Sequence, residues 1–326
     1  MSFSDRLLPA PVGGGFSMEG YWVWCGSVIQ GEDGRFHMFA ARWPQSLPFF
    51  KGYLRASEIV RAVSDVPEGP YRFEEIVLPA RGPRYWDGMM THNPTIHRWR
   101  DKYLLMYIGS TYLEPEECYN SIRIGLATSS SVYGPWERLD HPVLEPRPGK
   151  WDGTVVTNPA PCVLPDGRIL LVYRSNTPQG LRLGAAMADT LGAPFERISD
   201  DPVISFEGGH FVEDPCIWQT GDHFEMLAKD LTGITGEIGA GIHATSADGV
   251  SWQLTDNTPA YSRRIVWSDG TQTVQSHLER PQLLLKDERP THLFMATASG
   301  PDDPESLRTW AVTRTWNMVI PLEPEA

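Results

Sequence analysis

The stretch His210-Phe-Val-Glu213-Asp214-Pro215-Cys-Ile-Trp218 sets two adjacent carboxylates directly before a proline and a short apolar run. The same frame recurs as His92-Asn93-Pro94-Thr-Ile, as Thr157-Asn158-Pro159-Ala-Pro and as Leu278-Glu279-Arg280-Pro281-Gln-Leu. The prolines stand 65, 56 and 66 residues apart. A proline-free copy is read at Cys25-Gly26-Ser27-Val-Ile, its Ser27 67 residues before Pro94.

Between these copies the chain reads as short strands. In the first unit residues 22–29 are an apolar strand, Glu32-Asp33-Gly34 is a turn, and residues 35–39 alternate polar with apolar. Residues 58–64 and the passage after Gly69-Pro70 complete a set of four. Later units repeat it, the fifth with strands predicted at 279–285, 290–296, 307–313 and 316–322. A four-stranded sheet cannot bury both faces alone, and stacking such sheets radially solves this. The prediction is an all-β, five-bladed β-propeller with four antiparallel strands per blade, forming one domain over 1–326. The blades fall at about 20–80, 86–140, 151–200, 206–256 and 267–322. The first strand of each blade lines the channel, so the five strand starts converge on one face. Residues 1–20, with Gly13-Gly14-Gly15, read as a flexible, irregular lead-in.

The bulk properties exclude several classes of function. A net charge of −13 repels phosphate backbones, so nucleic acid is not expected as a partner. The four cysteines have no C-x-x-C spacing and read as small buried hydrophobes, not as a zinc site. No apolar run is long enough to span a membrane, and no secretory signal is visible, so a cytoplasmic protein is expected. There is no G-x-S-x-G elbow, phosphate loop or dinucleotide fingerprint. No cofactor is required by the motifs present, and the oligomeric state is left open.

Three features together resemble a known superfamily. One is Ile124-Gly-Leu-Ala127-Thr-Ser-Ser-Ser-Val-Tyr-Gly134-Pro135-Trp136-Glu137, with near copies at Ala62-Val-Ser64…Gly69-Pro70-Tyr71 and Ala186-Met-Ala188…Ala193-Pro194-Phe195. Another is the Asp-Gly turn leading into an aromatic strand. The third is an acid just before the proline of a first strand. In these the chain resembles the five-bladed glycoside hydrolases of families 43, 62, 32, 68 and 117. The resemblance implies carbohydrate as substrate and three carboxylates on successive blades: a base, a residue that tunes the acid, and a general acid. It also implies inversion at the anomeric carbon. The chain departs from the pattern in blade 1, where Cys25-Gly26-Ser27 stands in the place of the base aspartate.

Glycoside cleavage needs one carboxyl protonated and another ionised. Glu279 is the candidate acid, its alternative being a salt bridge to an arginine. Glu213 and Asp214 are adjacent, and strand alternation sends them to opposite sides, so one is expected to face the channel. Trp86-Asp87-Gly88 and Trp151-Asp152-Gly153 precede Asn93-Pro94 and Asn158-Pro159 at identical spacing. Asp152, and after it Asp87, are candidates for the missing base. The alternative is a repeated turn in which Asp caps backbone amides. Trp24, Trp86 and Trp151 are candidates to stack on a sugar face. His92, His210 and His277 are candidates for a hydroxyl donor, a proton carrier or a ligand to a central ion. Asn93 and Asn158 are candidate hydroxyl binders, and Arg280 a contact for an anionic group. The leading reading is an exo-acting glycosidase of small oligosaccharides. A glycoside phosphorylase and a non-catalytic sugar-binding propeller are the alternatives.

Overall fold

The computed structural model describes residues 2–256, 258–301 and 303–324. Five antiparallel sheets stand around one axis. Blade 1 has strands Tyr21–Gln30, Phe36–Pro44, Glu58–Ser64 and Arg72–Leu78. Blade 2 has Met90–Trp99, Lys102–Ser110, Arg123–Ser129 and Glu137–Arg138, and blade 3 has Thr157–Val163, Ile169–Thr177, Gly180–Ala188 and Glu196–Arg197. Blade 4 has Val212–Thr220, His223–Asp230, Gly241–Ser246 and Gln253–Leu254, and blade 5 has His277–Lys286, Arg289–Ser299 and Arg314–Pro321. In every blade the first strand is innermost.

The second strands show why the sequence stacks this way. Ile169–Thr177 opens with a nearly unbroken apolar run because both of its faces are covered. Ile169, Leu171 and Tyr173 pack toward blade 2, and Leu170 and Val172 pack toward blade 4. Truncating one of these fully buried leucines to alanine costs about 2–5 kcal/mol.

The ring closes with help from the N-terminus. The residues expected as a flexible lead-in instead occupy the outer edge of blade 5. The Leu8 amide donates to Pro321 O at 2.9 Å, and Phe16 and Asn317 exchange both backbone hydrogen bonds. Gly15 is fixed by contact: with φ at 76°, a Cβ there would lie 1.9 Å from Asn317 O. The third strand predicted for blade 5 at 307–313 is corrected. Pro304–Thr309 is a short helix, and the place beside Arg289–Ser299 is taken by Arg314–Pro321. Proline and the polar residues after it open that helix in preference to a strand.

Each inner strand carries the same irregularity. Cys25, Asn93, Asn158, Asp214 and Arg280 have φ of 55°, 49°, 50°, 54° and 53°. The pairing register slips at each of them. A left-handed residue at a bulge turns its side chain out of the strand's ordinary alternation.

Among the described residues, three α-helices are inserted in loops. Here α1 is Phe49–Ala56, between the second and third strands of blade 1, α2 is Pro115–Cys118 and α3 is Pro304–Thr309. Among the described residues no helix is long and apolar enough to cross a membrane.

Candidate active site

The five left-handed residues form a ring of side chains across the axis. Cys25 Sγ donates to Asn93 Oδ1 at 2.8 Å, Asn93 Nδ2 to Asn158 Oδ1 at 3.0 Å, and Asn158 Nδ2 to Asp214 Oδ1 at 2.5 Å. Arg280 Nη1 donates to the same Asp214 oxygen at 3.4 Å, and the Arg280 charge lies close enough to Cys25 to act on its thiol. Every member comes from a different blade. Four of the ring members, Asn93, Asn158, Asp214 and Arg280, floor a cavity of about 280 Å³ that opens at the strand starts.

The residue before each ring member forms the wall: Trp24, His92, Thr157, Glu213 and Glu279. Because of the bulge, Glu213 and Asp214 both line the cavity, which corrects the expectation that alternation would send one of them away. Opposite the wall residues, on the second strands, stand Ala41, Ile108, Arg174, Lys229 and Ala296. Charge is therefore gathered on blades 3 to 5. Aromatic surface covers the rest. Phe49 of α1 stacks on Trp310, which follows α3, with ring centres 5.5 Å apart and planes at 27°. Trp24 meets Phe49 edge-on at 4.9 Å. Trp310 also lies flat on His277, with centres 3.9 Å apart.

The acids are held by buried cations. Lys229 Nζ bonds both Glu279 and Glu213, the latter at 3.4 Å. Glu213 takes a second cation, Arg174, at 2.9 Å, and Arg174 also donates to the Tyr119 hydroxyl at 3.1 Å. Burial lifts the Glu279 carboxyl to about 7; the charges of Glu213 and Asp214 add to this, and Lys229 opposes it. Burial and the Glu213 charge also raise Asp214. For Glu213 burial pulls upward too, but Lys229 and Arg174 outweigh it and hold this carboxyl low. Burial and Arg280 push His92 down to about 3, so its imidazole is neutral; its Nδ1 meets Ser57 Oγ at 2.8 Å.

Several of the predicted site residues lie elsewhere. Asp152 is not brought to Asp214 and Glu279. It is fully buried between Arg147 (2.9 Å), Arg197 (2.6 Å) and the Tyr173 hydroxyl (2.8 Å). Asp87 repeats this cage with Arg81 (2.6 Å), Arg138 (3.2 Å) and the Tyr107 hydroxyl (2.8 Å). Trp86 and Trp151 stack on Tyr107 and Tyr173, not on the cavity. These loops therefore brace the blades, and the repetition marks structure. His210 meets Thr232 at 3.0 Å, away from the cavity. His277 stands at its margin, with Nδ1 3.9 Å from Glu279. Trp24, His92, Asn93, Asn158, Glu213, Asp214, Glu279 and Arg280 do line the cavity. Among the described residues, no three His, Cys, Asp or Glu side chains are grouped to hold a metal, and the axial ring contains a guanidinium.

Sequence reasoning missed Arg174, Lys229 and the aromatic roof. The first two had a signal: Asp166-Gly167 and Gly221-Asp222 close hairpins, and folding the chain back from them puts Arg174 opposite Thr157 and Lys229 opposite Glu213. Phe49, Tyr53 and Trp310 sit in insertions, where no periodicity marks them.

The blade-1 frame lacks proline for a steric and a polar reason. The Gly26 amide donates to Asn317 Oδ1 at 2.7 Å, and a Cβ on Gly26 would lie 2.7 Å from Asn317 Cγ and 2.8 Å from Met38 Sδ.

No family model matches the chain, and no curated protein matches it. Among solved structures it is similar to Zg3597, a family 117 glycoside hydrolase of the marine bacterium Zobellia galactanivorans. The identity is 15%, with 97% of this chain and 89% of that one covered and a TM-score of 0.70. It is also similar to BT0996, solved as an RGII complex, at 15% identity, 99% and 94% coverage and a TM-score of 0.72. A GH43_1 enzyme from Xanthomonas citri, complexed with xylose, matches at 15% identity, 99% and 92% coverage and a TM-score of 0.62. Likeness at this level of identity speaks for architecture, and with the five blades described above it shows that the chain has the five-bladed propeller fold of these glycoside hydrolases.

Proposed function

We propose that the protein is a glycosidase that removes a terminal sugar from a small oligosaccharide, with Glu279 as general acid. The observation that carries this reading is one aromatic-walled cavity holding Glu213, Asp214 and Glu279, two of which are displaced in opposite directions. Carboxyls pushed apart in this way can share acid and base roles at one pH. Glu279 gives its proton to the leaving glycosidic oxygen. Glu213, held ionised by Lys229 and Arg174, is the second carboxylate of the pair. Asp214, in the floor, adds negative charge that keeps the proton on Glu279.

The shape supports action at a chain end. The axial ring closes the channel below, and Phe49 and Trp310 cover part of the mouth. The volume, about 280 Å³, is at the small end of ligand pockets. The solved neighbours complexed with xylotriose and xylose add support at the level of fold. A phosphorylase is less well supported, because Arg174, Lys229 and Arg280 already face carboxylates.

The test is a screen of aryl glycosides and natural oligosaccharides with the wild type, Glu279→Gln and Glu213→Gln. Turnover by wild type and a loss of about 10²–10⁴ in Glu279→Gln on a poor leaving group is the expected result. Sugar binding without turnover by wild type would make this a binding propeller instead.

A further inference from the structure

Lys229 belongs to no motif in the chain, yet it bonds two of the site's three carboxylates. It lies on the second strand of blade 4, directly across from Glu213. Its ammonium reaches Glu213 within its own blade and Glu279 on the next one. Above it, 5.9 Å away, is the face of Trp310. The other charged or titratable groups around this cluster include Arg174, Asp214, Arg263, His277 and Arg280, with Tyr261 behind them.

A buried ion pair needs one ammonium for one carboxylate. Here one ammonium serves two acids from different blades, and their other partners are unequal. Glu213 keeps Arg174 as a second cation. Glu279 has beside it His277, whose imidazole is held neutral by burial and by Lys229 and Arg263. Among the described residues, Glu279 is thus the one of the two acids with no cation of its own.

We propose that Lys229 is the positioning residue of this site, a single ammonium that fixes Glu213 relative to Glu279 and sets the upper limit of pH to which Glu279 keeps its proton. The proposal rests on the glycosidase reading for its consequence in catalysis, but not for its electrostatics. Losing Lys229 leaves Glu279 without a cation and Glu213 with Arg174. Glu279 should then hold its proton to higher pH, while Glu213 changes less. Burial alone acts against a charged Lys229, and its two carboxylates outweigh that and raise its own affinity for the proton.

The test uses the full chain in two measurements. The first is a carbon-13 NMR titration of labelled Glu carboxyls, with peaks assigned from Glu213→Gln and Glu279→Gln. In Lys229→Met the Glu279 midpoint is expected to move up by about one pH unit or more, within the usual range for loss of a contacting opposite charge. In Glu213→Gln, which keeps Lys229 and removes a competing carboxylate, the Glu279 midpoint is expected to move down. Lys229→Gln, which removes the charge but keeps a polar side chain, reads the same upward shift if Lys229→Met does not fold. The other measurement is the pH profile of turnover. The alkaline limb should move up in Lys229→Met, the acid limb should move less, and Lys229→Arg should restore both. A Glu279 midpoint that is unmoved in the titration overturns the proposal, as does a uniform loss of turnover with both limbs in place. If wild type turns over no glycoside, the glycosidase reading fails, and the titration still decides the role of Lys229.

Discussion

Asn317, in the last strand of the ring, accepts the amide of Gly26, in the first, at 2.7 Å. This contact joins blade 5 to blade 1 at the one frame that has no proline. Gly26→Pro removes the donor and Gly26→Ala crowds Asn317 and Met38. Overpacking of this kind costs about 1–3 kcal/mol. Gly26→Ala should therefore lower the unfolding free energy by that amount, and Gly26→Pro by more. Restoring proline to complete the repeat would be a stabilising change if the frame were a sequence rule alone, and equilibrium unfolding tells the two apart.

Asp152→Asn should damage stability and leave the cavity's sugar affinity intact in the folded protein. Asp152 is fully buried, but Arg147 and Arg197 reach solvent at their outer ends, so the cost is about 2–4 kcal/mol. The pH dependence has a definite sign. Burial alone would raise this carboxyl, and Arg147, Tyr173 and Arg197 bring it below its ordinary 3.8. Its stabilising contribution is therefore complete above that value and is lost as pH falls through the lower, folded one. Thermal melts from pH 6 to about pH 2, compared between wild type and variant, should converge at the acid end.

Turnover should fall as pH rises through about 7, because Glu279 acts as an acid only while protonated. The same upward displacement means that the folded state holds a proton the unfolded chain releases near 4.5. Its contribution to stability thus declines as pH rises from there toward 7. Glu279→Gln should abolish both the alkaline limb and this decline, measured by initial rates and by unfolding at matched pH.

The stereochemical outcome is expected to be retention, against the inversion implied by the resemblance. Glu213 and Glu279 touch one ammonium, which keeps their nearest oxygens within about 6 Å, a bound that admits the ~5–5.5 Å separation of retaining pairs. Proton NMR of the first product formed reads the anomer directly, and the inverted anomer would exclude Glu213 as nucleophile.

The proline frame made the propeller legible, because five strand starts at regular spacing can converge only in a ring. It also placed Glu213, Asp214 and Glu279 together. What it did not reveal was backbone conformation: alternation rules assume ordinary extended residues, and Asp214 at φ 54° is not one. The Trp-Asp-Gly loops misled for a different reason. Their spacing to the strand starts is fixed by the cages around Asp87 and Asp152, so the regularity belonged to bracing and not to chemistry. Phe49 and Trp310 were hidden because an insertion has no counterpart elsewhere in the chain against which it can be recognised.

The left-handed positions have a consequence for how such a chain can change. Each costs the backbone about 1–2 kcal/mol when it is not glycine, and all five are kept here. Their occupants are a thiol, two amides, a carboxylate and a guanidinium, each hydrogen-bonded to a neighbour from the next blade. Replacing one of them unpairs a buried partner on another blade, so the five positions change as a coupled set and not one at a time.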